Sequence, residues 1–474
     1  AAHAHQPSHG RVPATRRSVF ARAEISVKLT FINHACCKLI AGDIGLLFDP
    51  WIDGSAFNDG WDLLIPTPLS LDAIMSGITH IWLSHEHPDH FSPAFLARIA
   101  PAHKGRVTIL FQPTRDHRVA QFCRGLGFSV IEMEGSAPLA LGSGVTATCG
   151  PHDFYDSWLH VTDGQQSVIN LNDCQIAAPV DLARVAKLFG PPTLMLSQFS
   201  YAAWKGGKND RIFREEAAKK KRDTLTVQTQ ILKPDYALPF ASFIYFSNVE
   251  NTYLNDAMNT PRIAAATLAT AGTKPVVLYP GEEWEIGTPH DNAPALARYD
   301  ARLAELPQLP LRGPGESVSI ERLQEAFAGY RARMMAQNSR LLIRLLRRLP
   351  FLGTLQPITI RLTDLDTLLS FALLDGMTMV QNGTADVAMH SSSLLFLLKN
   401  DLGYDTLTVN GRFTCTTEGF AKVTRAFGIG SLNAMGIRVA PSLVFNLRVL
   451  MILLGKLRQV MTRMKRHDAA RQGA

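Results

Sequence analysis

Residues 81–91 read IWLSHEHPDHF, and their core, HEHPDH, sets three histidines and an aspartate within six positions. The apolar run before it has the length and composition of a buried strand. Ser92 and Pro93 behind it are an N-cap residue and a first helical residue. The cluster is therefore expected in a strand-to-helix loop. His85 and His87 alternate, so both can point the same way at a strand end. Asp89 and His90 lie beyond the turn and can face a neighbouring position. Imidazole nitrogen with carboxylate oxygen suits borderline divalent cations, and two such sets side by side make a two-metal site. The bland alternative is a polar surface loop with chance histidines. With 15 histidines in 474 residues, such a density is improbable by chance.

The rest of the chain fits a layered α/β sandwich. From Ile25, short β-like runs alternate with turns in ISVKLTFI, CCKLIA and GLLFDP,. THIWLSH, RVTILFQ, SVIEME, VTATCG, WLHVTDG, SVINLND, TLMLSQF, YALPFASFIYF and PVVLYPG read as further strands. Residues 93–100, 115–127, 179–188 and 213–232 read as helices, an alternation that fits a sheet with helices packed on it. The length implies two or three units. The expected divisions are a basic leader (1–24), a metal-binding α/β domain (25–303), and a Pro/Gly linker with a basic amphipathic helix (304–356). A small α+β domain (357–440) and a basic amphipathic helix (441–474) follow. The run AAKKKRD (217–223) reads most simply as a solvated helix face.

HxHxDH after a strand resembles the signature of the metallo-β-lactamase superfamily, which implies an αββα sandwich for residues 25–303. FDPWIDGSAFNDGW, INLNDC, LSQFSYAAW and LPFASFIYF extend the likeness over about residues 26–290. They resemble the branch containing CMP-N-acetylneuraminate hydroxylase. The resemblance implies His85, His87 and His152 on a first metal, Asp89 and His90 on a second, and Asp173 bridging both. Asp49 would orient ligands from behind, or simply cap the turn before Pro50. Asp89, Asp173 and His34 are the candidate catalytic residues; His34, in FINHACCKL, either borders the site or is structural. The superfamily's last histidine falls on Asn248, a weak ligand, so His290 is an alternative donor to the second metal. Gln198, Tyr201 and Lys205 are candidate substrate contacts.

The resemblance favours two iron ions over zinc and oxygen chemistry on a small-molecule substrate. The branch's named enzyme draws electrons through a Rieske module, and this chain has no Cys-x-His…Cys-x-x-His pattern,. A separate electron-transfer protein is then expected, unless the substrate supplies the electrons or the reaction is a zinc-dependent hydrolysis of an ester or phosphodiester. The third reading is a lipid-binding module with a residual metal site. Residues 357–440 resemble sterol-carrier-like domains, and the basic helices suit peripheral contact with an anionic membrane. Packing of those helices on the chain or on a partner subunit explains the same pattern, so an oligomer remains open. The formal charge of +7 is mild for this length and does not argue for nucleic acid. Six scattered cysteines without a CxxC pair point to reduced thiols in a cytoplasmic setting,.

Overall fold

The structure, a computed structural model, describes residues 26–152, 156–174, 176–348 and 355–441. The basic leader and nearly all of the C-terminal helix expected at 441–474 lie outside the described residues. The alternating runs form β1 (Val27–Asn33), β2 (Cys36–Ala41), β3 (Ile44–Phe48), β4 (Trp61–Leu63), β5 (His80–Leu83), β6 (Thr108–Phe111) and β7 (Ser129–Glu132). They continue as β8 (Pro138–Gly142), β9 (Val145–His152), β10 (Asp156–Thr162), β11 (Ser167–Asn172), β12 (Leu194–Gln198), β13 (Tyr236–Phe240), β14 (Ile244–Phe246), β15 (Lys274–Pro275) and β16 (Glu283–Glu285). The helices among them are α1 (Leu71–Met75), α2 (Pro93–His103), α3 (Arg118–Gly125), α4 (Pro179–Phe189), α5 (Arg211–Leu232), α6 (Pro261–Ala271) and α7 (Ala293–Ala304).

Two seven-stranded sheets result, in the orders β16-β1-β2-β3-β5-β6-β7 and β15-β13-β12-β11-β10-β9-β8. Leu29, Phe31 and Leu46 from one sheet and Ala147, Leu159, Leu171 and Leu196 from the other share one buried core. The outer face of the first sheet packs Ile81, Leu83 and Ile109 against Phe95, Leu96 and Val119 of α2 and α3. On the second sheet, Leu182 of α4, Leu225 of α5 and Leu268 of α6 close the other side. This is an αββα sandwich. Ser92 caps α2 as expected, its hydroxyl accepting from Phe95 N at 3.2 Å with Pro93 next.

PVVLYPG departs from its expected strand: only Lys274–Pro275 pairs. Val276 N reaches Ala237 O, but Val277 N donates to the Asn292 side chain at 2.7 Å, which ends the ladder. The single helix expected over 318–348 is also broken, into α8 (Ile320–Gln337) and α9 (Arg340–Arg347). Asn338 turns extended and Ser339 caps the second helix. Two of the α8 arginines are tied down, Arg331 to Leu374 O and Arg333 to Leu398 O.

The remaining elements are β17 (Ile358–Leu362), β18 (Thr367–Ala372), β19 (Gly376–Val380), β20 (Val387–Met389), α10 (Ser391–Lys399), α11 (Gly403–Asn410) and α12 (Thr417–Ala434). They form a four-stranded sheet, β19-β18-β17-β20, under helices. This layer shares a core with the segment before the HEHPDH strand and with the loop after β12: Trp51, Phe57 and Trp61 of the first and Trp204 of the second cluster with Phe413, Leu407 and Phe427. Trp204 stacks on Phe420 at 4.5 Å. Buried Arg412 donates to Glu250 (2.8 Å), to Asn58 O (2.7 Å) and to Pro314 O. No described helix is long and apolar enough to cross a membrane. All six cysteines are free thiols, and five are buried.

Candidate metal centre

The strand directions bring the candidate residues together. β1, β3 and β5 run parallel, since β2 is antiparallel to both β1 and β3. Their carboxyl ends carry His34, Asp49, and Ser84 with His85. In the second sheet β11, β12 and β13 are parallel, and their carboxyl ends carry Asp173, Gln198 and Ala241. Ala241 N donates to His34 O at 3.0 Å, joining the two edges. Carboxyl ends of parallel strands are where open α/β sheets place ligand sites. His34, Asp49, Asn172 and Ala241 all have positive φ, between 38° and 46°. Four non-glycine residues in left-handed backbone at one edge mark a place where strain is tolerated for position.

Two groups of donor atoms result, His85–His87–Asp173 and His34–Asp89–His90, each within 4.8 Å. His85 Nε2 lies 2.8 Å from His87 Nδ1. Asp89 Oδ2 lies 3.2 Å from His34 Nε2 and 3.3 Å from His90 Nε2. Asp173 Oδ2 stands between the groups, 3.7 Å from both His85 Nε2 and His90 Nε2.

Hydrogen bonds behind the site fix the tautomers. Asp49 accepts from Ser84 N (2.7 Å), Ser84 Oγ (2.8 Å) and His90 Nδ1 (2.9 Å). A carboxylate only accepts, so His90 carries its proton on Nδ1. Ser84 gives its proton to Asp49, so its oxygen accepts from His85 Nδ1 at 3.0 Å. Both imidazoles therefore turn Nε2 toward Asp173, the atom each would offer to a cation. Expected result: Asp49→Asn weakens metal affinity about 10–100-fold by undoing this orientation. Competition with a chromophoric chelator measures it, with circular dichroism checking the fold.

The electrostatics fit a cation. Burial pushes the His85 imidazole down to about 3, leaving it neutral. Burial also lowers His34, against the pull of Asp89. His90 is held well above its usual value: burial opposes this, but Asp89, Asp173 and Asp49 outweigh it. Asp89 stays well below the carboxylate range because His90 and His34 outweigh its burial. Three carboxylates thus converge on one imidazole. His90 Nε2, Asp89 Oδ1, Asp173 Oδ1 and His34 Nδ1 are buried without hydrogen-bond partners. Buried polar atoms are rarely left so, and a pair of divalent cations would satisfy those of His90, Asp89 and Asp173. His34, His85, Asp89 and His90 are buried, while His87 and Asp173 are half-buried. Access is from the side of the latter two, where the Phe57 ring meets His87 at 5.7 Å.

Other expected residues fall outside these two donor groups. Asn248 does not face Asp89 and His90: its amide donates to Gly313 O (2.8 Å) and Asp59 O (3.3 Å), and its oxygen accepts from Glu250 N. The place opposite Asp89 is taken by His34. His290 bonds to Val277 O at 3.0 Å and sits by Trp284, outside both groups. His152 ends β9 at the same sheet edge, paired across to Asp156, and belongs to neither group. Tyr201 is buried with its hydroxyl on Leu254 O at 2.6 Å, a packing role instead of a substrate contact. Sequence reasoning missed Ser84 as the relay between Asp49 and His85. Its place directly before the motif was the available signal.

No protein-family model matches the chain. Among curated proteins it is similar to cytidine monophosphate-N-acetylneuraminic acid hydroxylase of Danio rerio, 43% identical over 67 residues (14% of this chain, 11% of that protein). The Mus musculus protein of the same name is 25% identical over 247 residues, 48% of this chain and 41% of that one. The chain thus matches less than half the length of these curated relatives. Among solved structures, Igni18, a metallo hydrolase of Ignicoccus hospitalis, is 17% identical with a TM-score of 0.39, covering 56% of this chain and 100% of its own. CmlA, a diiron β-hydroxylase of Streptomyces venezuelae, is 16% identical with a TM-score of 0.38, covering 56% and 55%. The chain folds as an αββα sandwich and is similar, over part of its length, to CMP-N-acetylneuraminic acid hydroxylases.

Proposed function

We propose that this protein is a dinuclear-metal enzyme, a non-haem di-iron oxygenase that hydroxylates a small metabolite or lipid-like molecule with electrons from a separate donor protein. The observation that carries the dinuclear reading is Asp173 Oδ2, equidistant from His85 and His90 at 3.7 Å. His85, His87 and Asp173 would hold one cation; Asp89, His90 and His34 would hold the other, with Asp173 shared. The chemistry supplied there by iron is reductive activation of dioxygen, and by zinc the acidification of water. The hydroxylase names of the similar curated proteins favour iron. In this reading Asp49 and Ser84 hold two protons on the far side of the imidazoles. The buried His34, His85 and Asp89 exclude bulk water from one side, and the substrate enters past His87.

Metal analysis of protein purified without added metal tests this. The expected result is two iron ions per chain and a near-ultraviolet or visible charge-transfer band. Two zinc ions with turnover of a generic ester or phosphodiester would overturn the oxygenase and establish a hydrolase. The absence of stoichiometric metal would overturn both.

A further inference from the structure

Helix α5 buries a stripe of residues at Arg214, Ala218, Leu225, Gln228 and Leu232. The spacing of three and four places Lys221 on the same stripe, midway between Ala218 and Leu225. AAKKKRD is therefore not wholly a solvated face. Lys219 is exposed and paired with Asp223 at 2.7 Å, whereas Lys221 is half-buried with its ammonium on the Gln198 side chain. Polar groups on such a stripe need partners. Arg214 has Asp256, through two bonds of 2.7 Å. Gln228 has Ser197 and Ile176 O. Lys221 has only the neutral side-chain oxygen of Gln198. Among the described residues no carboxylate pairs with it.

Gln198 ends β12, beside the β11 end that carries Asp173, so Lys221 is delivered to the same edge as the metal centre. Asp173 is close enough for its charge to act on Lys221. Lys205, half-buried in the loop after β12, also acts on Lys221 and makes no hydrogen bond or ion pair of its own among the described residues. Burial pushes the Lys221 ammonium down to about 8, opposed by Asp173 and Asp156 and aided by Lys205 and Lys220. A half-buried ammonium held only by a neutral amide oxygen is short of an anionic partner,. Asp173 does not serve as the missing partner, because the proposed cations claim it. Two dications would offset the four carboxylates at this edge, Asp49, Asp89, Asp173 and Asp156, and leave the two lysines uncompensated.

We propose that Lys221 and Lys205 bind an oxyanion, a carboxylate or phosphoryl group, carried by the substrate beside the metal centre. This rests on the dinuclear reading above and adds the substrate's charge to it.

Calorimetric titration of the full-length protein as purified, with inorganic phosphate and separately with acetate, tests the site. Lys221→Gln is expected to weaken binding at least about tenfold, and Lys205→Gln to weaken it in the same direction. Lys221→Arg and the surface control Lys219→Gln are expected to retain it. Preference for phosphate assigns a phosphoryl group, and preference for acetate a carboxylate. Equal affinity in wild type and Lys221→Gln, or no binding of either anion to wild type, overturns the proposal. Metal content is measured on every variant. Lysine-dependent anion binding in a chain without metal would sink the dinuclear reading and leave the anion site standing. Bound metal with lysine-independent anion binding does the reverse.

Discussion

Asp173→Ala is expected to strip the protein of both metal ions, not one. Asp173 is the one carboxylate placed 3.7 Å from an imidazole of each group. Its removal leaves His85 and His87 without an anionic partner and takes the shared oxygen from His90. Loss of a ligand shared by both cations is expected to cut affinity about a thousandfold, about 4 kcal/mol. Elemental analysis after dialysis should fall from two ions per chain to near none. Secondary structure should survive, because Asp173 is half-buried at a strand end and no core residue is lost. Retention of one full equivalent would show that the two groups bind independently.

The second large effect separates His34 from Asn248. His34→Ala should remove the second ion and spare the first, since His34 reaches Asp89 and no atom of the first group. Asn248→His should leave the metal content unchanged and destabilise the fold. Asn248 is fully buried, and three hydrogen bonds hold its side chain between residues 59, 250 and 313. Imidazole cannot reproduce the donor pair, and its greater bulk has no space. Unpaired carbonyls and overpacking together cost about 2–4 kcal/mol. Thermal denaturation reads the loss. A gain of metal in Asn248→His would return Asn248 to the site.

These two residues also show what the sequence made legible. HEHPDH is a local pattern, so its loop, the capped helix and the pairing of donors could be read from spacing alone. Asp49 and Asp173 each close an apolar strand run, but their roles follow only from the resemblance to the metallo-β-lactamase signature. The second-group partner was misplaced because it depends on sheet order. His34 and Asp89 are 55 positions apart and meet only because β1 and β5 run parallel toward one edge. Lys221 failed for another reason. Its neighbours in sequence are exposed lysines, and charge composition hid a buried helical register that the 3.6-residue period contains.

The shared core of the C-terminal layer has a consequence for dissecting the protein. Phe57 and Asn58 lie in the wall beside His87, and their carbonyls are held by Asn410 and Arg412. Truncation after residue 303 would strand those carbonyls and bare Trp61, Trp204 and Phe246 to water. The α/β sandwich is therefore not an excisable module. A shortened chain is expected to aggregate, and in the intact protein the layer and the wall of the metal site should melt as one event.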